Sequence, residues 1–368
     1  MYIDPALDKQ FSTERLSALE AQRMAEFIAW GPVLFQVSRL MLKWGIFEMI
    51  SQSGAGMTIT EVAEKAGISE YAAKVLMEAS LCSGTLLADA ENDRFTLSKT
   101  GWFLLNDRRT RININFNHDV NYEGLFRLEE SLKEGKPAGL RHFGDWPTVY
   151  EGLSQLPEQV QESWFAFDHF YSDESFRQAL EIVFARHPKN LLDVGGNTGR
   201  WALRCVDFDG QVEVTIMDLP QQLELMRRFT AGKNGAGRIH GYGGNLLDGS
   251  TAFPTDRHYD AIWMSQFLDC FAADEIVSIL RRAASIMDGE SRLYIMETFW
   301  DRQKFDTAAF CLTMTSLYFT AIANGNSKMY HSDEMRRLVE QAGLQVELIH
   351  DGLGQGHSIM VCSKPCGM

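Results

Sequence analysis

The hydrophobic pattern of this chain changes period part-way along, and the change divides it. In "RMAEFIAWGPVLFQVSRLMLKWGIFEMI" apolar residues recur every three or four positions, so residues about 12 to 53 read as helical. The next stretch, "TITEVAEKAGISEYAAKVLMEASLCSGTLLADAENDRFTLSKTG", reads as a helix, a turn at Gly67, a second helix and a hairpin tipped by "ENDR". That is the outline of a winged helix. Helical periodicity returns from about 100 to 180, broken by "EGKPAGL" and "GDWPTVY". From Asn190 onward short apolar runs alternate with helices: "NLLDVGG", "VEVTIMDLP", "YDAIWMSQF" and "SRLYIMETF". This alternation predicts an α/β fold with a doubly wound sheet. Two last runs, "LQVELIHDG" and "HSIMVCSK", predict a terminal antiparallel hairpin. The domain boundary is expected near residues 105 to 115. It separates a mostly α unit, 1–110, from an α/β unit, 111–368, whose first part to about 180 is helical.

Composition narrows the function. The formal charge of −14 argues against a phosphate-binding surface. The second helix of the winged-helix outline carries Lys74 against Glu70 and Glu78, so no nucleic-acid partner is expected. Six cysteines are scattered, with no CxxC pair and no zinc spacing, which predicts no metal and a reducing, cytoplasmic setting. The first residues lack a signal-peptide pattern, and no apolar run is long enough to span a membrane.

Candidate chemistry centres on "LLDVGGNTGR", Leu191 to Arg200. A pyrophosphate fingerprint needs G-x-G-x-x-G, and neither Gly195 nor Gly196 starts that spacing. No Lys-Ser/Thr pair follows, which excludes a P-loop. A glycine turn after a strand can still take a nucleoside that carries no phosphate. S-adenosylmethionine is such a ligand. It needs close backbone approach, an acid for its ribose diol and a polar group for its adenine amine. Asp218, ending the run "VTIMDLP", is placed to accept from both ribose hydroxyls, and Asp193 to contact the amino-acid end.

"LLDVGGNTG", "IMDLP", "GGNLL" and "YDAIWMSQFLDCF" together resemble the class I S-adenosylmethionine-dependent O-methyltransferases of the plant caffeate and bacterial polyketide type. That family has an N-terminal winged-helix dimerisation domain, and the resemblance spans nearly the whole chain. It implies a homodimer with S-adenosylmethionine as cofactor. It also implies that Gly195, Gly196 and Gly199 lie at the cofactor's amino-acid end, and Asp218 and Leu219 at its ribose and adenine. The family's acid for the adenine amine falls on Asn245, followed by Leu246. A family lysine falls on Ser265, and Ser175 is implied to reach the cofactor's carboxylate. Phe167 and Tyr171 would face the acceptor, joined by Met314 and Met329 from the many aromatic and methionine residues.

The sequence departs from the family at the catalytic base. The usual histidine position is Asp269, and a second family glutamate falls on Met329, while Glu297 keeps the first. A free Asp titrates near about 3.9 and a phenol near about 10, so full proton transfer is uphill by roughly 8 kcal/mol. Burial can raise a carboxyl by about 3–5 units and close much of that gap. The alternatives are that Asp269 merely caps the helix beginning near "AADEIVSIL", or that His169, or less readily His331, is the base. The implied function is methyl transfer to a hydroxyl of a small, largely apolar phenolic, enolic or polyketide-like acceptor. The alternatives are a family member with decarboxylase- or hydroxylase-like chemistry, and a winged-helix regulator.

Overall fold

The computed structural model describes residues 5–365, apart from the side chains of 5, 6, 9, 10 and 171–173. The chain divides into two compact units, Glu14–Asp119 and Met1–Thr13 with Val120–Met368.

In the smaller unit, each element starts where its local chemistry dictates. Thr58 and Glu61 form a reciprocal capping box that opens the helix Ile59–Ala66, and Gly67 closes it in the left-handed region at φ +66. Ser69 caps the following helix, Glu70–Cys82. The hairpin then pairs β1 (Leu86–Asp89) with β2 (Arg94–Leu97). Helix, glycine turn, helix and wing thus follow the order read from the pattern. Met41, Phe47, Ile50, Val62, Leu76, Met77 and Phe95 fill the core beneath them. The helix Ala18–Ala29 and the start of the next, Gly31–Lys43, behave differently. Ala18–Ala29 buries no residue, and Leu19, Ile28, Trp30 and Val33 are all exposed in the single chain.

The larger unit is built on a seven-stranded sheet. Its strands are β3 (Asn190–Val194), β4 (Glu213–Asp218), β5 (Ile239–Gly243), β6 (Ala261–Ser265), β7 (Arg292–Glu297), β8 (Gln345–Leu353) and β9 (His357–Ser363). Their order is β5-β4-β3-β6-β7-β9-β8, parallel from β5 to β7 and antiparallel at β9 and β8. The central strands are apolar on both faces because helices cover both. Leu191, Val214, Ile216 and Trp263 pack with the helices Phe176–Phe184 and Arg200–Phe208 on one side. Leu192, Ile262, Met264 and Ile295 pack with Ala273–Ser285 and Ser332–Gln341 on the other. Strand order reverses between β3 and β6. Loops leaving the carboxyl ends of those two strands therefore diverge and open a crevice at the switch point. The doubly wound α/β sheet and the terminal hairpin expected from the sequence are both present.

Candidate active site

Two loops flank that switch point, and each is held by a carboxylate. After β3 the chain turns through Gly195 at φ +74 and Gly199 at φ +82, and Gly199 then starts the helix Arg200–Phe208. Asp218, at the end of β4, accepts from the Asn197 N–H at 2.9 Å and from the Leu219 N–H at 2.7 Å. It therefore ties the glycine loop to the next strand, and each of its oxygens keeps a lone pair for a ligand. Asp193 lies beneath the loop, buried, with Oδ2 unpartnered. Burial first, and the Asp218 charge second, push its carboxyl up to about 8. Asp218 is also raised, by burial.

The glycines answer to the protein's own packing. A Cβ on Gly195 would stand 2.3 Å from the Phe267 ring, and one on Gly196 would stand 2.5 Å from Asp193 Oδ2. A Cβ on Gly199 would press on Met226, Thr230 and Ile216. What the loop offers a ligand is its backbone and the acids below.

After β6 the chain makes a second tight turn. Gln266 takes φ +45, a conformation most side chains avoid. Of four non-glycine residues with positive φ among those described, Asn197 and Gln266 stand in these two loops. Glu297, ending β7, accepts from the Phe267 N–H at 3.1 Å and the Leu268 N–H at 2.9 Å through Oε1. Its Oε2 is buried and unpartnered. Burial and the neighbouring Asp269 hold the Glu297 carboxyl well above the ordinary range.

Asp269 sits in the turn that Glu297 holds, and it too is buried. Burial raises its carboxyl to about 7, the Cys270 thiol at 3.4 Å opposes that rise, and the Asp168 charge adds to it. Asp269 is not a helix cap. Ala272 caps Ala273–Ser285, with Glu275 reaching back to its N–H at 2.8 Å. Tyr150, Tyr318 and Asp168 also act on this group, and residue patterns gave no sign of the first and last. Tyr150 follows "GDWPTVY", which read only as a break, and Asp168 was overshadowed by its neighbour His169.

The other expected residues divide. Ser265 ends β6, partly buried beside the turn. Asn245 is exposed and uses Oδ1 on its own loop, accepting from the Leu247 N–H at 3.0 Å. Leu246 is buried in the core rather than at a surface a ligand could reach. Ser175 is a correction: it is fully buried, its hydroxyl bonded to His357 Nδ1 at 2.8 Å, so it cannot reach a cofactor carboxylate. Met314 is another, lying 47% exposed on the helix Asp306–Tyr318 rather than in an enclosed chamber. Met329 is buried, with its sulfur 3.9 Å from Thr298 Oγ1. Phe167 is partly buried on Glu158–Ser172, and the side chain of Tyr171 lies outside the described residues. His169 pairs with Asp168 at 3.6 Å and stacks on Phe165. His331 is a structural cap, accepting from the Asp333 N–H at 3.0 Å.

This arrangement can be set beside known proteins. Residues 22–95 match the Dimerisation2-like domain, and residues 172–345 match the O-methyltransferase domain. The chain belongs to the S-adenosylmethionine-dependent O-methyltransferase family. It is 22% identical to an L-tyrosine C(3)-methyltransferase of Streptomyces lavendulae, over 88% of this chain and 87% of that protein. It is 22% identical to the demethylspheroidene O-methyltransferase of Rhodobacter capsulatus, over 89% and 78%. In fold it is similar to the mitomycin 7-O-methyltransferase MmcR, with a TM-score of 0.69 at 19% identity, covering 94% of this chain and 98% of that one. The family's cofactor is S-adenosylmethionine.

The residues at the switch point fit that cofactor. Asp193 and Asp218 are two buried acids, and among the described residues no Lys or Arg charge acts on either carboxyl to offset it. A molecule with an ammonium and a sulfonium supplies the missing positive charge. The orphan Asp193 Oδ2 is a buried acceptor awaiting a donor. Among the described residues, no helix is long and apolar enough to cross a membrane.

Proposed function

We propose that this enzyme moves a methyl group from S-adenosylmethionine to a phenolic or enolic oxygen of a small, largely apolar acceptor, with Asp269 taking the acceptor's proton. The observation that carries this reading is the buried Asp269 carboxyl in a turn pinned by Glu297. With its carboxyl at about 7, transfer from a phenol is uphill by about 3 units, or roughly 4 kcal/mol. That is about half the penalty for an exposed Asp.

When bound, S-adenosylmethionine supplies an electrophilic methyl carbon on a positively charged sulfur. The chain's own groups do the rest. Asp193, Asp218 and the backbone of 195–199 hold the amino-acid end and ribose, while Leu219, Asn245 and Ser265 flank the nucleoside. Glu297 fixes the turn that carries Asp269, so the base is positioned before the acceptor arrives. Phe167 and Met329 contribute apolar wall. In this reading His169 is the partner of Asp168 rather than the base.

A second reading moves the methyl to carbon. The similarity to an L-tyrosine C(3)-methyltransferase over 88% of this chain favours it. Removing a phenol's proton activates the adjacent ring carbon as well as the oxygen, so the same Asp269 serves both outcomes. Incubation with cofactor carrying a carbon-13 methyl and a panel of phenols tests both. Carbon NMR of the product separates a methoxy group from a ring methyl. Tight cofactor binding with no label on any acceptor would contradict both readings.

The unit Glu14–Asp119 is read as the homodimer contact, through the exposed Leu19, Ile28, Trp30 and Val33. A cytoplasmic setting suits the five described cysteines, which are free thiols. Light scattering tests the first, with Ile28→Lys expected to yield monomer.

A further inference from the structure

We infer that Tyr150 is a second catalytic contact, its hydroxyl donating a hydrogen bond to the same acceptor oxygen that Asp269 deprotonates. The inference rests on the acceptor-side reading above and adds a residue to it. Tyr150 lies on the short helix Val149–Gly152, and its buried hydroxyl has no nitrogen or oxygen partner among the described residues. Its polar neighbour is the Cys270 thiol, a weak acceptor, and Tyr318 and Asp269 also act on it, so it faces the Asp269 turn.

The neighbouring polar groups are already engaged. The Tyr318 oxygen accepts from Trp164 Nε1 at 2.7 Å, and the Tyr330 hydroxyl donates to the Phe271 carbonyl at 2.7 Å. Asn324 donates to the Cys270 carbonyl at 2.6 Å, and the Cys270 thiol donates to Asp269 at 3.4 Å. Tyr150 is the hydroxyl beside the base that has only a thiol as neighbour. Buried hydroxyls rarely lack a strong partner, so this one, next to a reactive carboxyl, points to a ligand atom. Burial also pushes its own ionisation well up, which keeps it a neutral donor and excludes it as the base.

The proton step then balances at one oxygen. The acceptor's O–H bond breaks, the proton bonds to the Asp269 carboxylate, and the electron pair stays on oxygen. The Tyr150 O–H stabilises that negative charge where it forms.

The test is Tyr150→Phe in the full chain, saturated with S-adenosylhomocysteine and titrated calorimetrically with β-naphthol and with naphthalene. The variant should bind β-naphthol about ten-fold more weakly and bind naphthalene as the wild type does. Its kcat for β-naphthol methylation should fall by about ten-fold or more. Its ligand-free Tm should hold or rise, because an unsatisfied hydroxyl has gone. Unchanged naphthol binding and turnover would overturn the inference. So would a lower Tm with equal losses for both compounds, which marks a structural hydroxyl. If wild type binds neither compound, the inference falls with the acceptor-side reading. If wild type binds β-naphthol through Tyr150 but transfers no methyl, only the proposed function fails.

Discussion

The two loops at the switch point share one plan with different surroundings. Each has a carboxylate tethered by two backbone N–H groups and a second one beside it, and all four are raised. Asp218 holds the β3 loop by two N–H groups while Asp193 rises to about 8, and Glu297 holds the β6 loop by two N–H groups while Asp269 rises to about 7. The neighbours differ. Asp193 has Asp218 and the Cys205 thiol beside it, whereas Asp269 stands among a thiol, three phenols and two other acids. An acid pair with few neighbours is completed by a cationic ligand. An acid among weak proton donors is suited to passing a proton. The difference separates binding from chemistry in a site where both loops end on similar residues.

The largest effect that could break this comparison is at the base. Asp269→Asn should lower kcat by about 10²–10⁴-fold while leaving cofactor affinity unchanged in calorimetry. A matching loss of affinity would mean the two loops are not separable. The converse variant, Asp218→Ala, frees the Asn197 and Leu219 N–H groups. It should weaken S-adenosylhomocysteine binding and cost about 1–3 kcal/mol of stability in urea titration.

A third prediction uses pH. An unfolded Asp titrates near about 3.9, below the folded value for Asp193, so the folded protein holds the extra proton between about pH 4 and pH 8. Stability of the cofactor-free protein therefore falls as pH rises through that window. Asp193→Asn should flatten the fall and raise Tm near about pH 8, while weakening cofactor binding. A Tm profile identical to wild type would remove the case for an uncompensated charge. Smaller still, Gly195→Ala sets a Cβ against the Phe267 ring at positive φ and should cost about 1–3 kcal/mol. Met314→Ala, on the exposed helix face, should change kcat and stability within about 0.5 kcal/mol.

The fold was legible because its signals are local. Strand runs, glycine turns and caps each declare themselves within a few residues, and Thr58, Gly67 and Ser69 mark the ends of their helices. The loop-holding acids were legible for a similar reason, since Asp218, Asp193 and Glu297 sit at or next to strand ends. What the pattern could not give was long-range company. Tyr150 and Asp168 reach Asp269 from more than a hundred positions away in the chain, and nothing near either residue announces it. Ser175 failed for the same reason, because its partner His357 lies 182 positions on. The glycines meet a second requirement, which no local pattern shows. Their missing side chains make room for Phe267, Asp193 and the helix Pro220–Thr230.

The pH dependence of single-turnover methyl transfer, followed with methyl-labelled S-adenosylmethionine bound in excess, bears most directly on the role given to Asp269. The rate should climb from about pH 5 and level off above about pH 7, as that carboxyl loses its proton, and Asp269→Asn should abolish the climb. A wild-type rate flat across that range, or a climb that survives in Asp269→Asn, would contradict the assignment.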